Sequence, residues 1–365
     1  MNMEPLLETI LEGDLFTKQE IVRLLGVDGA ERVKLFEKAA AVKREHVEDK
    51  VYFRGLVEYS NCCEKDCYYC GIRRSNRNVG RYAMTEKEVL EAARYACQER
   101  YASMVIQAGE SSSVAFTRRI TRLLKKIGAL SGNSMGITLS LGEQSRETLQ
   151  EWREAGASRY LLRIETSSPE LYGKIHPRDS RHSFEKRLET IRILRETGYQ
   201  VGTGVMIGLP FQTLEDLADD LLFFRELDVD MVGMGPYIEH KDTPLYAYRD
   251  TLFSLEERFY LALKMVAVLR IMMKNINIAA TTAMQTIDKI GREKAIKVGA
   301  NIVMPNLTPA RYRGDYLLYE NKPCIDEEAY ECRSCLEARI HMTGNRIGYG
   351  EWGDSRHFIH RNKEK

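Results

Sequence analysis

The chain has 365 residues, 44% hydrophobic and 29% charged, which is enough apolar material for a large core and excludes broad disorder. Its 54 Lys and Arg against 53 Asp and Glu leave a formal net charge of +1, which argues against nucleic acid or an anionic membrane as main partner. The best apolar run, Leu261–Met273, is broken by Lys264 and Arg270, short of the roughly 18–20 residues of a membrane span. The start, Met-Asn-Met-Glu-Pro, has no signal-peptide pattern, so a cytoplasmic chain is expected.

Helices come first. Thr17-x-x-Glu20 is a capping box ahead of Ile21, Val22, Leu24 and Leu25, and a second helix is expected over about Ala30–Glu48. No basic recognition face marks the pair as a DNA-binding module, so residues 1–50 read as a helical extension covering the adjoining domain. From residue 51 short apolar runs alternate with amphipathic ones. Buried strands are expected at Leu56–Tyr59, Ser103–Gln107, Gly136–Leu141, Arg159–Ile164, Gln200–Ile207, Asp230–Met234, Asn277–Ala280 and Asn301–Met304. Helices are expected at about Glu86–Glu99, Val114–Ala129, Arg146–Ala155, Phe184–Thr197, Leu214–Leu227, Leu255–Met273 and Lys289–Lys297. Thr85-x-x-Glu88 and Ser254-x-x-Glu257 cap two of them, and Gly132, Gly156, Gly198 and Gly299 follow helix ends.

Eight strands alternating with helices over about 250 residues is the count of an α/β fold of the (β/α)8 TIM type, here residues 51–305. A doubly wound sheet would use six or seven of them. Either architecture puts chemistry in loops at the C-terminal ends of the strands. Residues 306–365 form a charged C-terminal segment.

Of eight cysteines, six fall in two clusters. Cys63-x3-Cys67-x2-Cys70 follows the first strand, and three thiolates so close in a loop can wrap one iron–sulfur cluster while leaving an iron without a protein ligand. A structural zinc site needs four ligands, usually as two C-x2–4-C pairs, and the second pair could come only from the distant Cys324, Cys332 and Cys335. A disulfide framework is disfavoured without a secretion signal. Cys62 and Cys97 read as small structural residues, Cys62 as a buried one.

With Tyr69 just before its last cysteine, the Cys63–Cys70 motif resembles the signature of the radical S-adenosylmethionine (radical SAM) superfamily. The resemblance implies a [4Fe–4S] cluster on Cys63, Cys67 and Cys70 whose open iron chelates the amino and carboxylate groups of S-adenosylmethionine (SAM). An electron from the reduced cluster would then cleave the C–S bond to a 5′-deoxyadenosyl radical. Gln107-Ala108-Gly109-Glu110 resembles the family's Gly-Gly-Glu turn, which meets the methionine amino group, with Ala108 departing from the usual residue. Glu165, in Arg163-Ile164-Glu165-Thr166, matches the SAM-binding glutamate. Gly204-Val205-Met206-Ile207-Gly208-Leu209-Pro210 resembles the strand-five glycine motif near the adenine, or else is a plain turn.

Longer runs resemble the HydE family of [FeFe]-hydrogenase maturases: Gly71-Ile72-Arg73-Arg74-Ser75-Asn76, Thr138–Glu143, Arg159–Arg163, Asp230–Pro236, Ala280–Met284 and Gly299–Asn306. By that resemblance SAM contacts fall on Tyr69, Gln107, Glu165, Arg187, Met231 and Tyr316. The register at Arg187 depends on Pro177–His182, which is longer than the family pattern. An anion or substrate pocket would use Thr138, Arg159, Arg163, Thr281 and Thr282, since guanidiniums and hydroxyls inside a barrel must be paired or hold an anion. The other reading is a structural layer in which these arginines meet barrel carboxylates. Cys324, Cys332 and Cys335 match a trio that in some members holds an accessory [2Fe–2S] or [4Fe–4S] cluster; a surface zinc or redox-labile thiols are the alternative.

The activity implied is radical chemistry on a small organometallic or cysteine-derived substrate, in assembly of the diiron subsite of the hydrogenase H-cluster. Implied partners are a tyrosine-cleaving radical SAM maturase, a GTPase scaffold and a low-potential electron donor. Sulfur insertion of the biotin-synthase type or a methylornithine-synthase-like rearrangement would share the barrel and first cluster. A non-enzymatic metal-binding protein is the remaining class.

Overall fold

Eight parallel strands occupy the expected positions in the computed structural model, which describes residues 7–326 and 329–363, the stretch 329–334 along its backbone only. They are β1 Gly55–Ser60, β2 Ser103–Ala108, β3 Gly136–Ser140, β4 Ala157–Leu161, β5 Gln200–Thr203, β6 Met231–Val232, β7 Asn277–Ile278 and β8 Ile302–Val303. β1 to β7 lie side by side in one parallel sheet. The register runs Leu56 to Val105, Val105 to Thr138, Thr138 to Arg159, Tyr160 to Val201, Gly202 to Met231 and Met231 to Asn277. β8 closes the ring through single bridges, Ala279 to Ile302 on one side and Leu56 to Asn306 on the other. The Ala280 N–H reaches the Ile302 carbonyl at 2.9 Å, and the Leu307 N–H reaches the Leu56 carbonyl at 2.7 Å. The fold is the α/β barrel anticipated from the strand count.

Period two sorts the strand residues. Val57, Tyr59, Met104, Ile106, Ile137, Leu139 and Tyr160 join the outer core under the helices. Leu56, Glu58, Gln107, Ser140 and Arg163 turn inward. The outer helices, Glu86–Gln98, Val114–Ser131, Arg146–Glu154, Phe184–Glu196, Leu214–Glu226, Leu255–Met272 and Gly291–Val298, end within two residues of the expected bounds. Thr17, Thr85 and Ser254 all form complete capping boxes.

The first and last described segments pack on the barrel. Helices Lys18–Gly26 and Gly29–Val47 lie against Leu255–Met272, which is buried along most of its length. Buried Arg270 in that helix donates to the carbonyls of Gly299, Lys274 and Ile276 and to Asn301 Oδ1, which satisfies its charge without a carboxylate. A strand at Lys50–Phe53, absent from the expected set, pairs with β8 and with Arg346–Ile347. From there residues 352–355 run beneath the N-terminal end of the barrel. Trp352 Nε1 donates to the Ser134 carbonyl at 2.6 Å, and the Gly353 carbonyl accepts from Asn277 Nδ2 at 2.8 Å and Arg54 Nη2 at 3.1 Å.

Candidate active site

At the C-terminal ends of the strands lies a cavity of about 430 Å³. Cys63, Cys67 and Cys70 line it from the loop after β1. Cys67 is buried and the other two half-buried. Burial pushes the Cys67 thiol up to about 12 and the Cys63 and Cys70 thiols in the same direction, so the metal-free thiols hold their protons until a cation displaces them. Among the described residues no three Cys, His, Asp or Glu side chains are gathered tightly enough for a single metal ion. Cluster ligands need not be, because each thiolate would bind its own iron. Three soft donors around one cavity therefore fit a four-iron cluster better than one zinc.

The loop is clamped on every side. Lys65, between Cys63 and Cys67 and only 5% exposed, bridges Glu110 at 3.1 Å and Glu143 at 3.0 Å. Arg187 Nε reaches the other oxygen of Glu143 at 2.8 Å. Burial pushes the Glu110 carboxyl up, while Arg187 and Lys65, both touching Glu143, overcome its burial and hold it below its usual value. The Asp66 N–H donates to His182 Nε2 at 2.9 Å, so that nitrogen is unprotonated and Nδ1–H faces Asp179 at 2.6 Å. His176 is kept neutral by burial; its Nδ1–H serves the Tyr172 carbonyl, and its Nε2 accepts from the Tyr69 hydroxyl at 3.2 Å. Gly109 in the Gln107–Glu110 turn has no room for a Cβ, which would strike the Cys62 carbonyl and come within 2.8 Å of Cys63 Cβ. Cys62 itself is exposed, not buried as its neighbours suggested, with its sulfur turned toward the Tyr82 carbonyl.

The residues expected around SAM are brought together with one exception. Gln107 Nε2 donates to the Tyr316 hydroxyl at 3.2 Å. Glu165 takes Arg163 Nε at 3.0 Å and Nη2 at 2.9 Å. Its backbone sits at φ 70°, left-handed for a residue with a side chain, held by bonds to the Gly204 carbonyl and the Met206 N–H. With Tyr69 and Arg187 these side chains line the same cavity as the cysteines. Met231 does not: it lies deeper in the barrel, where its sulfur is 2.9 Å from Arg54 Nη1.

The expected anion pocket splits. Arg163, Thr281 and Thr282 line the cavity, and Thr282 Oγ1 is 2.8 Å from the Tyr319 hydroxyl. Arg159 and Thr138 are not on its wall. Arg159 turns to the opposite end of the barrel, where it meets Asp354 Oδ1 at 2.5 Å, Ser103 Oγ at 2.8 Å and the Trp352 carbonyl at 2.8 Å. Its structural-layer alternative is the one realised, with a tail carboxylate in place of a barrel one. Cys324 and Cys335 line the same cavity, and the side chain of Cys332 lies outside the described residues.

Sequence reasoning missed Glu58 and Lys322, a buried ion pair in the cavity wall that ties β1 to the C-terminal segment. Lys322 Nζ also donates to the Tyr316 carbonyl at 3.0 Å, and Asn306 Nδ2 donates to Glu58 at 3.2 Å. The inward parity of Glu58 was the available signal; the partner 264 residues on had none.

Among known proteins, the Radical SAM superfamily description matches residues 57–224. The [FeFe] hydrogenase maturase subunit HydE of Thermotoga maritima is 44% identical over 346 residues, which cover 94% of this chain and 95% of that one. Methylornithine synthase superposes with a TM-score of 0.79 at 23% identity, over 95% of this chain and 98% of its own. The maturase HydG from Carboxydothermus hydrogenoformans gives 0.76 at 18%, over 94% and 78%. The two structural likenesses bear on the fold alone, whereas the identity to HydE over nearly the whole length carries further: this chain belongs to the HydE family of radical SAM enzymes.

Proposed function

We propose that the chain uses SAM at a [4Fe–4S] cluster to act on a small organometallic or cysteine-derived substrate during maturation of [FeFe]-hydrogenase. The observation that carries this reading is the convergence of Cys63, Cys67 and Cys70 with Gln107, Glu165, Arg187 and Tyr316 on one cavity of a HydE-family barrel. When bound, cluster and SAM supply a low-potential electron and, from cleavage of the sulfonium bond, a 5′-deoxyadenosyl radical. The chain supplies the rest. Cys63, Cys67 and Cys70 would hold the cluster by three thiolates and would leave one of its irons for the cofactor. Arg187 spends Nε on Glu143 and Nη1 on the Arg163 carbonyl, while its Nη2, 4.0 Å from Glu110 Oε2, would turn to a cofactor carboxylate. Glu165, already charge-balanced by Arg163, keeps lone pairs for a ribose hydroxyl or an ammonium.

Leu161, Leu162, Met206, Ile238 and Met304 give the cavity an apolar wall that keeps water from a reactive carbon radical. Arg163, Thr281 and Thr282 are the polar groups deeper in, suited to an anionic or strongly polar substrate head. Cys324, Cys332 and Cys335 would hold an accessory cluster near the cavity mouth. Companions would be the other hydrogenase maturases.

Anaerobic reconstitution with iron and sulfide should give the absorbance and EPR of a [4Fe–4S] cluster, and dithionite with SAM should release 5′-deoxyadenosine. Cys67→Ala should lose both while keeping its far-UV circular dichroism. Maturation of apo-hydrogenase that proceeds equally well without the protein would remove the maturase role; 5′-deoxyadenosine from Cys67→Ala would remove the cluster assignment.

A further inference from the structure

Behind the turn that carries Glu165 lies a carboxyl with no cation. Asp220, on the outer helix Leu214–Glu226, is fully buried, and among the described residues no cation pairs with it. The charged groups on the elements packed against that helix are bound elsewhere. On the helix Lys18–Gly26, Lys18 takes Asp219 at 2.6 Å, Arg23 takes Glu31 at 2.6 Å and Glu20 closes the Thr17 capping box. On Leu255–Met272, Glu256 and Glu257 sit in the exposed first turn, and Arg258 takes Glu239 at 3.0 Å. Lys264 there donates to the Val27 carbonyl at 3.3 Å, and Arg270 to its carbonyls and Asn301. On the side of the turn, Glu165 takes Arg163 at 2.9 Å, and Glu170 takes Lys174 at 2.7 Å.

Burial, with Asp216 and Asp219 adding negative charge from the same helix, outweighs the hydrogen bonds from Ser167 and pushes the Asp220 carboxyl up to about 7. A raised carboxyl gives stability that is whole at low pH and is lost as pH rises through the folded value. At neutral pH and above, Asp220 therefore costs the fold stability that a neutral Asn would keep. Its one bond to another element shows what the charge serves. Asp220 Oδ1 accepts the Ser167 N–H at 2.6 Å, two residues past Glu165. Glu165, at φ 70°, is held from the barrel side by the Gly204 carbonyl at 3.0 Å and the Met206 N–H at 3.1 Å. The remaining backbone bonds of residues 166–168 are local: the Ser168 N–H meets Thr166 Oγ1 at 3.2 Å, and the Ser168 carbonyl accepts from Tyr172 in the helix Pro169–Ile175. Asp220 is the anchor that reaches this turn from behind.

We propose that Asp220 is a positioning residue for the cofactor: its bond to the Ser167 N–H holds Glu165 in the left-handed conformation that turns the Glu165 acid into the cavity. The proposal rests on the reading of Glu165 as a SAM contact. A hydrogen bond to an ionised acceptor is roughly twice as strong as one to a neutral acceptor. The hold on the turn is therefore firmest where Asp220 is ionised, which is also where it costs the fold most. Stability and cofactor binding pull in opposite directions at this one side chain, and that opposition separates a positioning role from a structural one.

Three reconstituted full-length proteins test it: wild type, Asp220→Asn, whose amide oxygen can still accept from Ser167, and Asp220→Ala, which offers no acceptor. SAM binding by equilibrium dialysis at pH 8, referred to cluster-loaded protein, should weaken by roughly two- to tenfold in Asp220→Asn and further in Asp220→Ala. The gap between wild type and Asp220→Asn should close as pH is lowered to 6, where the wild-type carboxyl is mostly protonated. Urea unfolding of the same proteins should run the other way, with Asp220→Asn more stable than wild type at pH 8 and the two converging at pH 6. Equal SAM affinity in wild type and Asp220→Asn at pH 8 would overturn the inference. So would an Asp220→Asn protein that binds SAM less tightly and is also less stable, since the carboxyl would then serve the fold and not the cofactor. A wild-type protein that holds its cluster and binds no SAM would remove the reading of Glu165 itself, and this inference with it.

Discussion

Glu165 shows what a single residue reveals at this site. Its left-handed backbone costs about 1–3 kcal/mol for a side-chain-bearing residue, and the surroundings hold it there regardless. That strain points the carboxylate at Arg163 and the cavity instead of along β4. Replacing it with Gln keeps the shape and removes the charge. Glu165→Gln should weaken SAM binding by about tenfold or more, a charged hydrogen bond being worth about 1.5–3 kcal/mol, measured by equilibrium dialysis on the reconstituted protein. Unchanged affinity would take Glu165 out of the cofactor site. The residue was legible because it belongs to a local motif at a strand end, as were Gln107 and the three cysteines. Arg159 was not: local context gave it the same inward parity as Arg163, and what captured it, Asp354, lies 195 residues away. Met231 sits off the cavity wall for a related reason, since parity fixes the side of the sheet and not the depth in the barrel.

At the level of elements, strand and helix bounds were legible because period two, capping boxes and terminal glycines are all local signals. The connection after β4 was less so. It forms a helix, Pro169–Ile175, then a turn that grips the cluster loop: the Tyr68 N–H reaches the Ile175 carbonyl at 3.0 Å, and His182 accepts from Asp66. These bonds cross more than one hundred residues of sequence, and no periodicity encodes them. His182 is therefore a positioning residue, acting through the Asp66 backbone. A neutral hydrogen bond contributes about 0.5–1.5 kcal/mol, which corresponds to a several-fold change in loop opening. His182→Ala should speed iron loss to a chelator by roughly three- to tenfold, followed by the decay of cluster absorbance. His182→Gln, whose amide oxygen can accept from Asp66, should recover much of the difference. Identical decay in all three proteins would show that the clamp does not bear on the cluster.

The whole molecule is closed at its lower end by the C-terminal tail, and that closure is electrostatic. Asp228, itself at φ 52°, takes Arg195 Nη1 at 2.8 Å, Arg361 Nη1 at 2.9 Å and His357 Nε2, joining the helix Phe184–Glu196 to the last helix, Arg356–Lys363. Neighbouring Asp230 takes Arg361 Nη2 at 2.9 Å. Burial works against the charge of Asp228, but His357, Arg195 and Arg361 outweigh it and hold the carboxyl well below its usual range. Burial dominates at Asp230 and pushes its carboxyl up. The signs therefore differ. A depressed carboxyl gives stability that is whole above the unfolded pKa of about 3.9 and is lost as pH falls below it. A raised one gives stability at low pH that is lost as pH rises through the folded value. Acid should thus loosen the tail through Asp228, while Asp230 partly offsets the loss. Asp228 is more than one-third exposed, so solvent screening limits the effect to about 1 kcal/mol. Urea unfolding at pH 7 and near pH 3 reads it out. Asp228→Asn should be less stable than wild type at pH 7 by about that amount, and the gap should narrow toward pH 3, where the unfolded chain's carboxyl takes up its proton while the folded one is still ionised. Parallel pH dependences would mean that the tail is held by packing of Trp352 and its neighbours, and that the charges at Asp228 merely accompany it.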